Sequence, residues 1–523
     1  ALPICFCTLL NEIMSRFACC ILALLAVSTA NAASIKWTGY AKNGQWGTST
    51  NWYPDQVPGP NDDVSINKGG NVTITTPVTV QSIAMGNDVG EFPYLIVDNS
   101  LLVESTLTVN ANGGIIMNSG AAAISGQVVM GGNLVFASGT ASGSWKIASP
   151  GKATLGGAAE KAFVNCQFNI GIDVDMSGLI ILNQSSVITV GSGSTVTASD
   201  AFSVQAGDTT AVKFDTSAGT LTYTGGGTFQ VMAPWSVGTF NLMAGNLTLF
   251  DSVTFGAMFS IPAGSTVKTL GVAAVAMPSG VSGAGRIHAE GKSLTVGAAN
   301  FSGTLIASAG LFEATSASSI ATMMVSGSSI MVGHALTVAE ITMIAGQIQG
   351  NSTLTIASGS LMSAGFNINA TTVITGSFSA SGSVISIGSM GSVHVASGAT
   401  FTTTGGAVQF SGPSGTGGVV NHGMINAVGA LELTNIDLTG TGSVTVADTF
   451  TVGTITISQS VVALTGNGKF VGATTDINTI AQITGTPGVT GTIGSYSFTC
   501  DKACKKIGTS GIPTKKFIFA VSK

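Results

Sequence analysis

Between Ser293 and Gly468 the chain contains no lysine or arginine, yet short apolar alternations run through the whole stretch. The segments 350–356 and 442–446 show the pattern, in which Val, Ile or Leu alternates with Thr or Ser after a Gly-led turn. Alternation with a period of two predicts β-strands. Because a chain this poor in cations cannot be held together by ion pairs, the feature indicates short strands stacked on one another.

The composition indicates a folded chain with little charge. Of the 523 residues, 45% are hydrophobic and 8% are charged, whereas about 25% are charged in typical globular proteins. Disordered chains combine low hydrophobicity with high charge, so this composition excludes a largely disordered protein. The net charge is −5, and nucleic-acid-binding domains carry a basic face, so we expect no nucleic-acid partner.

The predicted fold is all-β: a single-stranded right-handed parallel β-helix, or β-solenoid, with N- and C-terminal caps. Such a fold needs Gly or Asn at tight corners and a thin interior of Val, Ile, Leu and Ala, which this sequence provides. Tandem β-sandwiches are the alternative, but they need longer strands, more aromatic core residues and linkers. If one coil takes roughly 20–25 residues, the body contains on the order of twenty coils.

The segment 1–33 is predicted to combine a few upstream residues with a secretory signal peptide. Met14 begins the signal, Arg16 supplies its positive charge and residues 17–27 form its apolar stretch. The small residues at 30–32 then provide a cleavage site. We therefore predict that the protein is secreted and lies outside the cell or on the cell surface.

A membrane anchor in the same segment is the competing interpretation. Asn11, Glu12 and Arg16 interrupt the apolar run, whereas a spanning helix needs about 20 nearly uncharged apolar residues. We therefore expect no transmembrane anchor.

Changes in composition divide the rest of the chain into three segments. Residues 34–70 form a predicted N-terminal aromatic cap, residues 71–484 the β-helix body, and residues 485–523 a C-terminal Lys-rich cap that includes a hairpin. The first cap contains three of the five tryptophans, and we expect them to pack over the first coil. They are Trp37, Trp46 and Trp52.

Three cysteines follow the predicted signal peptide. Cys500 and Cys504 are close enough in sequence to form a local disulfide in an oxidising compartment, and we predict that bond. Cys166 is predicted to be a buried free thiol. The sequence suggests no metal site and no cofactor.

The residues of the first cap resemble the opening module of secreted surface proteins that contain a right-handed parallel β-helix. The matching residues are Trp37-Thr-Gly39, Gly44-Gln-Trp46, Asn51-Trp52, Pro58-Gly59 and Asp62-Asp63-Val64-Ser-Ile66. The resemblance is confined to residues 37–66, and it implies a pectin-lyase-like or adhesin-like fold at the cell exterior. It carries no catalytic residues over to this chain.

Two groups of ionisable residues are candidates for a polysaccharide cleft. Asp173 and Asp175 place two carboxylates on one strand face, an arrangement that can hold Ca²⁺. Arg286, His288 and Glu290 share one strand face and can form a sugar-binding strip. In both groups the alternative is a set of solvated or mutually paired surface charges, which we favour.

Other polar residues have simpler interpretations. Asp62 and Asp63 are predicted to cap a turn by accepting backbone N–H bonds, with Ca²⁺ binding as the alternative. The histidines of the body are predicted to be surface or edge residues; they are His334, His394 and His422. Six Asn-x-Ser/Thr sequons are candidate glycosylation sites in a secreted chain: Asn71, Asn183, Asn246, Asn300, Asn351 and Asn369.

Together these features predict a secreted structural or adhesive β-solenoid of an extracellular coat, fibre or matrix that catalyses no reaction. Its expected partners are further copies of itself or other coat and matrix components, with polysaccharide as a further candidate. The alternative is a polysaccharide-active enzyme or a carbohydrate-binding protein of the pectin-lyase-like type. A third interpretation, ice binding through Thr-x-Thr ladders such as 73–75, 195–197 and 454–456, requires a constant spacing that these segments lack.

Overall fold

The fold is known from a computed structural model, which describes residues 33–452 apart from 89, 131–132, 148–152, 157–159, 208–211, 363–364 and 413–417. It also describes the backbone of seven strands between positions 461 and 521. About two-thirds of the described residues (66%) are in β-strands, and the described residues contain no α-helix, only a 3-10 turn at Ser49–Asn51. The predicted all-β solenoid is confirmed.

The chain divides into two compact units, one within Ala1–Ser194 and Gly207–Val212 and the other within Thr195–Ala206 and Lys213–Lys523. Each unit is a parallel β-solenoid, and the turns of both number about 18. The strands of the first unit are β1 Ser34–Trp37, β2 Trp52–Tyr53, β3 Asp63–Ile66, β4 Gly70–Ile74, β5 Val78–Val80, β6 Ser82–Met85, β7 Pro93–Val97, β8 Ser100–Val103, β9 Thr106–Val109, β10 Gly114–Met117, β11 Ala121–Met130, β12 Asn133–Phe136, β13 Gly139–Ile147, β14 Ala153–Leu155, β15 Lys161–Ile170, β16 Val174–Asn183 and β17 Val187–Val190.

The second unit contains the remaining strands. They are β18 Thr195–Ala206, β19 Lys213–Tyr223, β20 Thr228–Met232, β21 Trp235–Leu242, β22 Asn246–Leu249, β23 Val253–Phe255, β24 Phe259–Ile261, β25 Thr266–Thr269, β26 Ala274–Met277, β27 Val281–Gly283, β28 Arg286–Ala289, β29 Ser293–Val296, β30 Ala299–Ala307, β31 Leu311–Ala314, β32 Ser318–Val332, β33 Leu336–Leu361, β34 Gly365–Ala380, β35 Val384–Ile387, β36 Ser392–Val395, β37 Thr400–Thr403, β38 Val408–Ser411, β39 Gly418–Asn421, β40 Met424–Ala427, β41 Leu431–Thr434, β42 Asp437–Thr439, β43 Ser443–Val446, β44 Thr449–Val452, β45 Val461–Leu464, β46 Lys469–Gly472, β47 Gln482–Gly485, β48 Thr490–Ile493, β49 Tyr496–Thr499, β50 Cys504–Ile507 and β51 Phe519–Val521.

Within each unit the coils contribute strands to three parallel ladders. In the first unit these run β1–β3–β6–β9, β4–β7–β10–β12 and β5–β8–β11. Later strands such as β13 and β15 are longer, and each bends at a corner so that its two halves belong to two different ladders. In the second unit one ladder runs β20–β22–β25–β28–β30 and another β34–β35–β38–β41–β44. Side chains at the same place in successive coils therefore form columns.

The inward columns explain why the short apolar alternations fold in this way. On one ladder of the second unit Leu247, Val267, Ile287 and Leu305 stand in register, and each is buried. Full burial of each such side chain contributes about 1.5–3 kcal/mol. The next members of the column are Met323 and Ile341. Neighbouring residues of this column are 18 to 20 positions apart, at or just below the lower end of the predicted coil length.

The aromatic residues differ from the sequence expectation of a thin aliphatic interior. All five tryptophans are buried, and Trp235 lies within a cluster of phenylalanines in the second unit. Its ring centroid is 5.4 Å from that of Phe229, 5.3 Å from that of Phe240 and 5.7 Å from that of Phe255. Aromatic residues are only 7% of the chain, so its composition does not indicate that they are concentrated in the interior.

Polar side chains and glycines shape the corners. Asn67, Asn87 and Asn110 follow successive strands of one ladder, and their side chains bond between adjacent coils. Asn67 Oδ1 accepts the Asn87 backbone N–H at 3.2 Å, and Asn110 Nδ2 donates to Asn87 Oδ1. Gly139 has a φ of 114°, and a Cβ there would lie 2.0 Å from the Gly120 carbonyl oxygen. Only glycine fits such a close approach of neighbouring coils.

The N-terminal tryptophans pack together against the first strands of the solenoid. Trp52 makes edge-on contacts with Trp37 at 4.8 Å and with Trp46 at 4.7 Å, measured between ring centroids. The backbone N–H of Trp46 donates to the Thr73 carbonyl at 3.0 Å, and the backbone N–H of Thr73 donates to the Gly44 carbonyl at 2.7 Å. This segment therefore lies along the edge of β4. In addition, β1 pairs in parallel with β3 and antiparallel with β2.

Strand direction also changes near the C-terminus. β47 pairs in parallel with β45 but antiparallel with β50, which pairs antiparallel with β51. β48 and β49 are likewise antiparallel. Antiparallel strands cannot continue a parallel coil, so this arrangement is compatible with the predicted C-terminal cap, which stays a prediction.

Candidate functional site

Strand β28 carries the densest group of ionisable residues named from the sequence. Ile287 and Ala289 point inward and are buried, whereas Arg286 is exposed and His288 is half-buried on the outer face. The predicted alternation is therefore present in the structure. Glu290 follows the end of the strand, where it still contacts the same outer face.

Stacking of coils adds a residue to this group that is distant in sequence. Lys268 on β25 stands in register with His288, and its Nζ lies 3.3 Å from Glu290 Oε2. Glu290 Oε1 lies 3.0 Å from His288 Nε2, which is also 3.0 Å from Ser308 Oγ on the next coil. The carboxylate of Glu290 is thus paired with two neighbours. This arrangement matches the favoured interpretation of paired surface charges.

The energetic value of these pairs is small. The side chains of Lys268 and Glu290 are 37% and 31% exposed, and ion pairs so open to water contribute about 0–1 kcal/mol. Among the residues that the structure describes, Arg286 makes no ion pair. Lys268 could have been found from sequence only by knowing that the coil between it and His288 is 20 residues long.

Asp173 and Asp175 lie in the first unit, whereas the Arg286 group lies in the second. Both aspartates are exposed and flank the buried Val174 at the start of β16, so they share an outer face as predicted. In the described part of the chain no three His, Cys, Asp or Glu side chains are grouped so that they could hold a metal ion.

The lysines nearest to these aspartates on either side in sequence are Lys161 and Lys213. Lys161 is buried, its Nζ lies 3.4 Å from the Gly156 carbonyl oxygen, and burial lowers its pKa. Lys213 pairs with Asp215 at 2.7 Å. Burial raises the pKa of Asp215, but hydrogen bonds from Lys213 and Ser217 outweigh that effect and lower it overall.

The acidic pair near the N-terminus acts largely as predicted. Asp62 is buried, and its Oδ2 accepts the Gly59 N–H at 2.8 Å, which confirms a turn cap. Asp63 differs, because its Oδ1 accepts a hydrogen bond from the Ser82 hydroxyl and not from a backbone N–H. The neighbouring coil supplies that partner, which local sequence cannot indicate.

The histidines occupy the outer surface. His334 and His422 are exposed, and His394 is half-buried with its Nε2 2.9 Å from Ser392 Oγ. Burial lowers the pKa of His394 below its usual value, and the nearby His422 lowers it further.

Stability should therefore fall in mild acid. Because the folded protein binds the His394 proton less readily than the unfolded chain, the free energy of unfolding decreases as the pH drops below about 6.5 and through the lowered pKa of the folded state. We expect His394→Gln to reduce the loss of melting temperature between pH 7.5 and pH 5. An equal loss in the wild type and His394→Gln would contradict this assignment.

The sequons lie at differently accessible positions. Asn71, Asn246, Asn300 and Asn351 are exposed, whereas Asn183 and Asn369 are half-buried. Asn369 Oδ1 also accepts the Met390 N–H at 3.2 Å, so a glycan on this residue would disturb a structural contact. Glycosylation at each site stays a prediction.

The structure confirms that Cys166 is a buried free thiol, and burial raises its pKa to about 12. Cys500 lies outside the described residues, and Cys504 is described only as the first residue of β50. The predicted bond between them is therefore an expectation. Mass mapping of the oxidised mature chain should find Cys500 joined to Cys504, and a bond between Cys166 and Cys500 would contradict it.

Comparison with known proteins gives no matching family model, no matching curated protein and no matching solved structure. In the part of the chain that the structure describes, no helix has the length and apolar character needed to cross a membrane. The predicted signal peptide precedes the first described residue.

Proposed function

We propose that this protein is a secreted structural or adhesive β-solenoid of an extracellular coat, fibre or matrix, and that it catalyses no reaction. The observation that carries the proposal is the outer surface of the coils between 293 and 451, which has no lysine or arginine and combines columns of mainly small polar side chains with exposed apolar ones. Two outward columns are each in register on separate groups of coils: Thr304, Thr322 and Glu340 in one, and Ser377, Thr400, Met424 and Ser443 in the other.

The exposed apolar side chains support an interaction surface. In this stretch they are Ile344, Met362, Val384, Met390, Met424 and Val428. Exposed apolar side chains gain free energy when a partner covers them, and lysines that normally discourage association are missing from these coils. Further copies of the chain or other coat components are the proposed partners. The proposed location outside the cell rests on the signal sequence beginning at Met14.

A second candidate function is a polysaccharide-active enzyme or carbohydrate-binding protein. It is favoured by the group of Lys268, Arg286, His288 and Glu290, which adjacent coils bring to one outer face. Because Glu290 is already paired with Lys268 and His288, we favour the structural role over catalysis.

Assembly tests the structural role directly. We expect the purified mature chain to form higher-order assemblies, seen by negative-stain microscopy and analytical ultracentrifugation. The double variant Met424→Lys/Val428→Lys places charge among these exposed apolar side chains and should reduce assembly at least tenfold, whereas Ala263→Lys, on an exposed turn outside this stretch, should not. A wild-type chain that stays monomeric and is not retained by extracellular matrix material would contradict the proposal.

A further inference from the structure

An open polar cleft lies on the outer face of the second unit, across the coils that contain β33, β34, β35 and β38. Its volume is about 400 Å³, and it contains no charged side chain. The polar residues that line it are Gln347, Asn367, Asn369, Ser386 and Ser411. Ile368 and Ile387 also line it. Ligand sites are concave and largely preformed, and a few placed polar groups orient the ligand in them.

Four of these residues form one column. Gln347 stands in register with Asn367, Asn367 with Ser386, and Ser386 with Ser411. Because neighbouring strands are about 4.8 Å apart, the column presents one amide or hydroxyl group at each coil along the ladder. This regular spacing suits a linear, repeating ligand.

Internal hydrogen bonds orient part of the lining and leave the rest available. Gln347 Nε2 donates to Ser329 Oγ at 2.8 Å, and Asn369 Oδ1 accepts the Met390 N–H at 3.2 Å. Within the described residues, the side chains of Asn367, Ser386 and Ser411 make no hydrogen bond to the protein. Their donors and acceptors therefore point to an external partner or to solvent.

Two glycines that line the cleft allow neighbouring coils to approach closely. A Cβ on Gly388 would lie 2.5 Å from Asn369 Oδ1, and a Cβ on Gly412 would lie 2.6 Å from the Ile387 carbonyl oxygen. Both glycines line the cleft. Larger residues would fill the floor or displace its polar groups.

The chemistry of the lining selects among ligands. No lysine or arginine occurs between 293 and 468, so the cleft offers no cation to a uronate, sulfate or phosphate. Amides and hydroxyls both donate and accept hydrogen bonds, which matches the hydroxyl groups of neutral sugars.

We propose that this cleft binds a neutral polysaccharide, with Gln347, Asn367, Ser386 and Ser411 as successive contacts along the glycan chain. The inference rests on the adhesive function proposed above and names the ligand class of that function. It differs from the Arg286 group, whose cations would favour an acidic polymer.

Retention of the full chain on insoluble neutral glycans tests the cleft. Cellulose, starch granules and mannan serve as neutral probes, and polygalacturonate and alginate as anionic ones. We expect retention on at least one neutral glycan, unchanged by salt between about 0.05 and 0.5 M because no ion pair is involved. The triple variant Gln347→Ala/Asn367→Ala/Ser386→Ala should bind at least tenfold more weakly.

Asn426→Ala is the matched control, because Asn426 is an outward, half-buried amide on β40 and lies outside the cleft. It should retain wild-type binding, and melting curves should show that all variants remain folded. Unchanged binding by the triple variant, no retention on any neutral glycan, or salt-sensitive preference for the anionic polymers would each overturn the proposed cleft. Cleavage of a bound glycan would instead overturn the non-catalytic function and leave the location of the cleft intact.

Discussion

Replacing Trp52 with alanine is expected to lower the free energy of unfolding of the first unit by about 3–5 kcal/mol. Trp52 is 1% exposed and contacts the rings of Trp37 and Trp46. Its Nε1 also donates a 2.7 Å hydrogen bond to the Trp46 carbonyl. The substitution removes all three contacts and leaves a cavity against the first coil. Urea denaturation followed by circular dichroism measures the change.

Two further variants show whether the loss of stability comes from the packing of Trp52 or from any change in this segment. Tyr53→Ala removes the exposed neighbour and should change stability by less than about 0.5 kcal/mol. Deleting residues 34–66 removes the whole predicted cap and should cause aggregation, because solenoid ends need a covering segment. A soluble and fully folded truncation would show that the segment is an appendage.

Replacing Trp235 with alanine should destabilise the second unit by a similar amount, about 3–5 kcal/mol. This side chain is 2% exposed and packs against Phe229 on β20, Phe240 on its own strand β21 and Phe255 on the next coil. Its Nε1 donates to Thr216 Oγ1 at 3.1 Å, so the truncation also removes a partner of a buried hydroxyl. In a solenoid each coil contacts only its neighbours, so the loss should appear as early local unfolding around β21.

Hydrogen exchange resolved along the chain measures this local effect. Amides of β19, β21 and β23 should lose protection in Trp235→Ala, while those of distant coils such as β37 and β40 should not. Trp235→Phe keeps most of the ring packing and should lose less than half as much stability. A uniform loss of protection across the second unit would contradict the nearest-neighbour account.

The sequence was sufficient for the strands and their inward faces. Alternation alone placed Ile287 and Ala289 inside and Arg286 and His288 outside, as the structure has them. The reason is that a strand's two faces depend only on local periodicity. Because the apolar segments are short and are separated by Gly-led turns, they can bury their inward faces only by stacking on one another.

Which residues stand side by side on neighbouring coils could not be predicted. Lys268 reaches His288 across a coil of 20 residues, whereas Ser386 reaches Ser411 across a longer one. The corners differ in their number of residues. The spacing between residues in register therefore changes from coil to coil and follows no fixed period. For this reason the sequence predicts neither the polar cleft of the second unit nor the cluster of aromatic rings around Trp235.

The chemical role of the acidic residues depends on the same stacking. In sequence, Glu290 is a candidate acid or sugar ligand; in the structure it is paired with Lys268 and His288. Asp173 and Asp175 remain exposed on an outer face of the first unit. The proposed non-catalytic function requires that neither group supports turnover.

A polysaccharide turnover assay tests that central claim most directly. The purified mature chain is incubated with uronic-acid polymers and with neutral polysaccharides, each with and without Ca²⁺, and the release of new chain ends is measured. We expect no product above that of a heat-denatured sample under any condition. Turnover that is abolished by Asp173→Ala or by Arg286→Ala, in variants that keep the wild-type melting temperature, would contradict the account and identify the protein as an enzyme.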